Sequence, residues 1–159
     1  ADFAERHRLE IVMENANAYW TDIPEQVPAD EVDWSSRNRY FGMAPEEWIQ
    51  VCEEVNRPNV GLCLDSSHTC TYAQTVSEDQ REERVLAFLA RPDLIRHVHW
   101  NDNYLYDARG RKDSHAEVGK GTLPVEMHRR IKELDATLLL EHFYSLKGLE
   151  QELEFVSSL

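Results

Sequence analysis

"IRHVHWNDNYLYDARGRKDSHAEVGKG", residues 95–121, decides the fold. It opens on an alternation, with Val98 and Trp100 to one side and His97, His99 and Asn101 to the other. That is the two-residue period of a β-strand. The strand then stops in side chains able to bind a metal: His97, His99 and Asp102, followed after a polar loop by Asp113 and His115. Such an ending is either a solvated rim or a grip on something.

Three further stretches share the pattern. "LEIVMEN" (9–15), "NVGLCLD" (59–65) and "TLLLEHF" (137–143) read as strands beside "LIRHVHW" (94–100). Helical spacing separates them. "APEEWIQVCEEVN" (44–56) sets Trp48, Val51, Cys52 and Val55 on one face, with Pro45 in the first turn. Ser77 reads as the N-cap of a helix running to about Ala90 and stopped by Pro92. Pro124 opens a helix over "PVEMHRRIKELD", "GLEQELEFVSSL" closes the chain as another, and "ADFAERHR" resembles the tail of an earlier one. Strands alternating with helices predict an α/β fold with a parallel sheet and right-handed crossovers, in four βα units.

The strand period also sorts the faces. Leu9, Ile11 and Met13 oppose Glu10, Val12 and Glu14; Val60, Leu62 and Leu64 oppose Gly61, Cys63 and Asp65; Leu138 and Leu140 oppose Leu139 and Glu141. Each strand keeps one apolar face for helices, and the other face ends in a ligand. Glu14, Asp65, His99 and Glu141 thus stand at the carboxyl ends of four successive strands, where parallel α/β folds keep their sites. Two Glu, one Asp and one His make a hard, oxygen-rich set suited to Mn, Mg, Co or Zn.

Composition bounds the partners. The 159 residues are 42% hydrophobic and 30% charged, enough for one domain (1–159) with a real core. No apolar run approaches the length that spans a bilayer, so no membrane role is expected. The three cysteines, Cys52, Cys63 and Cys70, lack C-x-x-C spacing and point to a reducing, cytoplasmic compartment. Thirty acidic against 17 basic residues give a net charge of −13, a field that repels phosphate backbones but not metal cations. Much of that acidity sits in helical stretches such as "PEEWIQVCEE" and "SEDQREER", as solvated surface.

The segments "IVMEN", "VGLCLDSSH", "IRHVHWND", "DSHAEVGKG" and "LLLEHF", in that order, resemble the C-terminal half of the xylose isomerase-like TIM barrels. That superfamily includes sugar-phosphate isomerases and epimerases, inosose dehydratases and type IV apurinic endonucleases. The resemblance runs from about residue 9 to 143. It implies that Glu14, Asp65, His99 and Glu141 hold one divalent metal. It makes His68 a substrate-contacting histidine in the sugar enzymes, or, with Asp113 and His115, a ligand of a second zinc in the endonucleases. Gly119 and Gly121 match the turn that follows. The ketose epimerases often carry an Arg after the histidine motif, and "NDNYLYDARG" offers Arg109 or Arg111 in its place.

Two departures from the family stand out. The barrel usually takes about 250 residues in eight units, and this sequence shows four. The endonucleases also draw two histidines from the earlier half. The expected reading is a piece of a longer chain, with a half-barrel completed by self-association as the alternative.

The function implied is a metal-dependent isomerase or epimerase acting on a small sugar, sugar phosphate or polyol through an enediolate. Glu14 and Glu141 are its catalytic pair, and His68, Arg109 and Trp20 bind substrate. Trp20, Trp34, Tyr19 and Phe41 are expected to wall the sugar site. The alternatives are an inosose-type dehydratase, a zinc-dependent apurinic endonuclease, or an inactive domain that only binds a partner. Nucleic acid is disfavoured by the charge. Homo-oligomerisation or association with the other half-barrel is expected. Among the remaining residues, His97 reads as packing, Asp102 as a loop anchor or a fixer of a histidine tautomer, His128 and His142 as surface or sheet-exterior structure, Cys63 as a core filler and Cys70 as a loop thiol.

Overall fold

The computed structural model describes residues 1–34, 41–142 and 145–159. Part of the expected aromatic loop, residues 35–40, and Phe143 of the expected fourth strand lie outside them. Four strands, β1 (Ile11–Glu14), β2 (Val60–Asp65), β3 (Ile95–His99) and β4 (Thr137–Leu139), form one sheet in the order β1-β2-β3-β4. All neighbours are parallel. The sheet is open. Among the described residues, six α-helices accompany it: α1 (Asp2–Arg6), α2 (Pro45–Val55), α3 (Ser66–Ala73), α4 (Arg81–Ala87), α5 (Val125–Lys132) and α6 (Leu146–Ser158). None is long and apolar enough to cross a membrane.

The core forms on one side of the two central strands. Leu62, Leu64, Ile95 and Val98 pack against Trp48 and Cys52 of α2, Val85 and Phe88 at α4, and Met127 and Ile131 of α5. Parallel central strands covered this way read as near-continuous apolar runs, which is what "VGLCLD" is. Trp48 also donates its indole N–H to the Met13 carbonyl at 2.8 Å, fastening α2 to β1. The apolar face predicted for every strand is fully covered at β2 and β3, while at β1 and β4 Met13 and Leu140 pack against the core in part. β1 and β4 are edges, and Leu9, Ile11, Leu138 and Leu139 are exposed there.

Several expected bounds shift. β4 is three residues long, so Glu141 stands two residues beyond the strand rather than within it. Trp100 N–H still reaches the Leu139 carbonyl at 2.7 Å, one rung past the end of β4 pairing. Ser77 does not cap with its side chain; a 3-10 turn over Glu78–Gln80 precedes the shorter α4.

The hydrophobic pattern of the sequence does not predict helix α3. Its sequence, "SSHTCTYA", has no amphipathic period, because its hydroxyls face the interior and bond there. Ser66 Oγ donates to the Asn101 carbonyl at 2.7 Å, Thr69 to the Ser66 carbonyl at 2.7 Å, and Thr71 to the His68 carbonyl at 2.8 Å. Such local back-bonding lets hydroxyl residues live inside a buried helix. Cys70 is accordingly a fully buried core thiol of this helix, not a loop thiol.

Candidate metal centre

Asp65 ends β2 and begins α3. Its Oδ1 accepts from the backbone N–H of Ser67 (2.8 Å) and His68 (3.1 Å), a side-chain N-cap. Its backbone is clamped by Asn15, whose Oδ1 accepts from Asp65 N–H (2.7 Å) and whose Nδ2 donates to the Asp65 carbonyl (3.0 Å). These bonds fix the carboxylate and turn Oδ2 to the carboxyl-end face of the sheet. There it lies 3.7 Å from each of three ring nitrogens: His68 Nε2, His99 Nδ1 and His115 Nε2.

Two groups of ligands therefore share one oxygen's surroundings. In the first, His99 Nδ1 faces Glu14 Oε1 at 3.3 Å, Glu141 Oε2 at 3.1 Å and Asp65 Oδ2 at 3.7 Å. Of the expected set, one ligand atom each from Glu14, Asp65 and His99 falls within 4.8 Å of the others, and Glu141, from the segment after β4, approaches His99. In the second, one ligand atom each from Asp65, His68, Asp113 and His115 falls within 4.8 Å of the others. His115 Nε2 lies 2.8 Å from Asp113 Oδ1, and His68 Nε2 lies 3.3 Å from Asp113 Oδ2.

The tautomers follow from the partners. His68 Nδ1 lies 2.7 Å from the Asn15 carbonyl and His115 Nδ1 lies 3.1 Å from the Glu141 carbonyl. A carbonyl only accepts, so both Nδ1 atoms carry hydrogen and both Nε2 atoms are left for the cluster. Among the described residues, buried His99 Nδ1 and His115 Nε2 find no hydrogen-bond partner. Buried nitrogens aimed at carboxylate oxygens without hydrogen-bond geometry fit a cation between them, and the donor set suits Mn, Co, Mg or Zn. His115 also holds a left-handed backbone, φ 37°, which a histidine adopts only under surrounding constraint.

The electrostatics agree. Burial resists charging His68, but Asp113, Asp65 and the Asn15 carbonyl hold its imidazole up at about 9. Burial also works against the Asp113 carboxylate, yet His68 and Asn17 bring it down to about 2. Asp65, ahead of Glu14 and Glu141, raises His99. Burial and then Glu14 push the Cys63 thiol up to about 12, keeping it a protonated core filler.

The remaining predicted site residues fall out unevenly. Trp20 lines a cleft of about 400 Å³ with Tyr19, Ile23, Arg111 and Asp113, so the cleft borders the second ligand group. Trp34 meets Trp20 edge-on at 4.6 Å, whereas Phe41 is exposed. Arg111 lies over the Trp20 ring, 4.2 Å from its centroid, and donates to the carbonyls of Pro24, Glu25 and Val27. Arg109 instead pairs with Asp107 at 2.8 Å and covers the Tyr104 ring, away from that cleft.

Other expectations are corrected by burial. His128 is interior: its Nδ1 accepts from the Trp100 indole at 3.0 Å. His142 is not at the sheet exterior but bonds Asn101 and Glu152. Asn15, Asn17 and Glu152 were missed. Asn17 donates to Asp113 Oδ2 at 3.1 Å. Only Asn101 left a signal, sharing the strand period of His97 and His99. His97 bonds Thr137 on β4, as a packing histidine would, and also lies with Cys63 and His99 in a third group of closely set ligand atoms.

Comparison with known proteins places this geometry. Probable endonuclease 4 of Mesomycoplasma hyopneumoniae (strain 7448) is 29% identical over 86 residues, 54% of this chain and 31% of that protein. Probable endonuclease 4 of Metamycoplasma arthritidis (strain 158L3-1) is 30% identical over 85 residues, 54% of this chain and 30% of that protein. The chain thus spans about a third of the length of the curated relatives it matches. The crystal structure of a D-tagatose 3-epimerase-like protein superposes with a TM-score of 0.61 at 22% identity, covering 99% of this chain and 51% of that one. The xylose isomerase-like TIM barrel family matches residues 1–159, and the chain belongs to that family.

Proposed function

We propose that this chain carries the metal-binding half of an isomerase or epimerase acting on a small sugar, sugar phosphate or polyol. The observation that carries it is the placement of Glu14 and Glu141. Their carboxylates approach His99 Nδ1 at 3.3 and 3.1 Å, and the two side chains keep 42% and 39% exposure. Both can therefore hold a cation and still meet a substrate.

Glu14, Asp65, His99 and Glu141 would hold one divalent ion. When bound, it supplies Lewis acidity to vicinal carbonyl and hydroxyl oxygens, making the adjacent C–H acidic. Glu14 then takes the proton from one face of that carbon, and Glu141 returns one to the other. His68, with its Nδ1–H anchored on Asn15, orients a substrate hydroxyl. The cleft beside Trp20 excludes water from the rest of the sugar.

The test is deuterium exchange. The purified protein with Mn(II) or Co(II) is incubated with ketoses, their phosphates and keto-polyols in D2O, and label is followed by NMR. Exchange should vanish in Glu14→Gln and Glu141→Gln while metal is retained; exchange surviving in both would overturn the assignment.

A second reading is hydrolysis of phosphodiesters at abasic DNA. The second ligand group, Asp65, His68, Asp113 and His115, favours it, as do the endonuclease 4 relatives. The net charge of −13 counts against it. Metal stoichiometry decides: one ion per chain favours sugar chemistry, two or more zincs the nuclease.

In this reading the chain is the C-terminal half of a barrel, supported by the exposed apolar residues at both sheet edges and by the half-length match to the epimerase-like structure. A partner half or a second copy would cover those edges. A reducing compartment such as the cytoplasm suits the three buried free thiols.

A further inference from the structure

Helix α6 carries a carboxylate that its packing does not require. Glu152 is 1% exposed, and an apolar side chain would bury there at less cost. Its contacts all lead toward the metal centre. Glu152 Oε1 accepts from the backbone N–H of Val118 at 2.7 Å, in the loop that carries Asp113 and His115. The same carboxylate lies 2.9 and 3.0 Å from His142 Nε2, and His142 directly follows Glu141. His142 Nδ1 stands 3.1 Å from Asn101 Oδ1, and Asn101 Nδ2 reaches Asp65 Oδ2 at 3.5 Å.

We propose that Glu152 is a positioning residue, which through His142 and Asn101 holds Asp65, Glu141 and the Asp113–His115 loop in register for metal. Asn101 spans the link, its Oδ1 beside His142 Nδ1 and its Nδ2 beside the Asp65 carboxylate. Asp65 Oδ2 is the oxygen that both ligand groups surround, so a small rotation of Asn101 reaches both. The closest links are the two at Glu152, where α6 clasps two ligand-bearing segments at once. This rests on the metal-centre reading above.

The test reads metal geometry and needs no substrate. Co(II) is titrated into wild type, Glu152→Gln, His142→Asn, the double variant, and Glu150→Gln, an exposed site on the same helix. Far-UV circular dichroism monitors folding. Glu152→Gln keeps the volume but turns a donor toward His142. His142→Asn keeps a polar group toward Asn101 while releasing Glu152, and it carries the test should Glu152→Gln not fold. Each should weaken Co(II) binding by about 10-fold or more and alter the d–d spectrum, as loss of an outer ligand partner does. The double variant should be no worse than either single, and Glu150→Gln should match wild type. Unchanged affinity and spectrum in the folded single variants would overturn the role of Glu152 alone. Absence of Co(II) binding by wild type would overturn the metal centre, and this inference with it.

Discussion

Asp65 and His99 are register partners, the last paired residues of β2 and β3, and their side chains meet at 3.7 Å between Oδ2 and Nδ1. The sheet itself therefore sets one ligand pair, with no loop needed to bring it together. Asp65 also caps α3 through Oδ1, which leaves Oδ2 for the proposed metal.

Substitution can separate those duties. Asn is as good an N-cap as Asp, so Asp65→Asn should keep α3 and leave the thermal midpoint within a few degrees. Asp65→Ala should lose about 1 kcal/mol more through the missing cap. Both should bind metal more weakly than any outer-partner variant, beyond the roughly 10- to 100-fold such partners are worth. Calorimetric unfolding and metal titration read the two effects; equal midpoints for the Asn and Ala variants would show that the cap contributes nothing.

His68 predicts a proton count. Its folded value of about 9 lies above the ordinary 6.5. In metal-free protein its stabilising contribution is thus full below pH 6.5 and fades as pH rises to about 9. Asp113, lowered from 3.8 to about 2, contributes fully above pH 3.8 and loses that as pH falls toward 2. Metal on the second ligand group must displace the His68 proton, since Nε2 is the free ligand atom. Binding of that ion at pH 7 should release a proton into solution, and affinity should climb between pH 6.5 and 9. Calorimetry in buffers of different ionisation heat counts the proton; pH-independent affinity over that range would refute the ligand role of His68.

Arg111 and Arg109 part company in the same way. Arg111 pins the wall of the Trp20 cleft through three carbonyls and the ring face, and lysine cannot reproduce that fork. Arg111→Lys should raise KM for whichever substrate exchanges deuterium, with kcat less affected, and destabilise by about 1 kcal/mol or more. Arg109→Ala, at an exposed surface pair, should stay within about 0.5 kcal/mol and leave KM unchanged. Steady-state kinetics on both variants suffices; the opposite ranking would move the substrate to the Arg109 side.

The candidate ligands are legible in the sequence because they obey the strand period. Glu14, Asp65 and His99 alternate with apolar neighbours, and hydrophobic burial makes that alternation visible in one dimension. What was not legible lacks such a signature. Helix α3 hides because its buried face is hydroxyl rather than apolar. Glu152 and His128 resembled ordinary polar residues of amphipathic helices, and only three-dimensional packing buries them. Arg109 and Arg111 differ by two positions in one loop, and a 3-10 turn over Ala108–Arg111 sends one to Trp20 and the other to Tyr104. Local polarity patterns carry strands; they do not carry the fold of a polar loop.

That loop has its own anchor. Asp102, 1% exposed, accepts backbone N–H bonds from Asn103 (2.8 Å), Gly119 (3.0 Å) and Leu123 (3.1 Å). Gly119 has φ 87°, and a Cβ on Gly121 would strike the Asp102 carboxylate, so the glycines let the loop close onto this one side chain. His128 stands behind it: the Trp100 indole N–H fixes Nδ1 as an acceptor, leaving Nε2–H toward Asp102 Oδ2 at 3.4 Å. Asp102→Asn is nearly isosteric, yet its amide sets a donor against the Gly119 N–H wherever its oxygen keeps the Asn103 and Leu123 bonds. One unsatisfied buried donor costs about 1–3 kcal/mol. The variant should lose stability of that order in urea. It should also lose metal from the Asp113–His115 group while retaining the ion at Glu14, His99 and Glu141, because Asp102 braces only the first of these segments. Equal loss at both positions, read by metal stoichiometry, would show that the two ligand groups form as one unit instead.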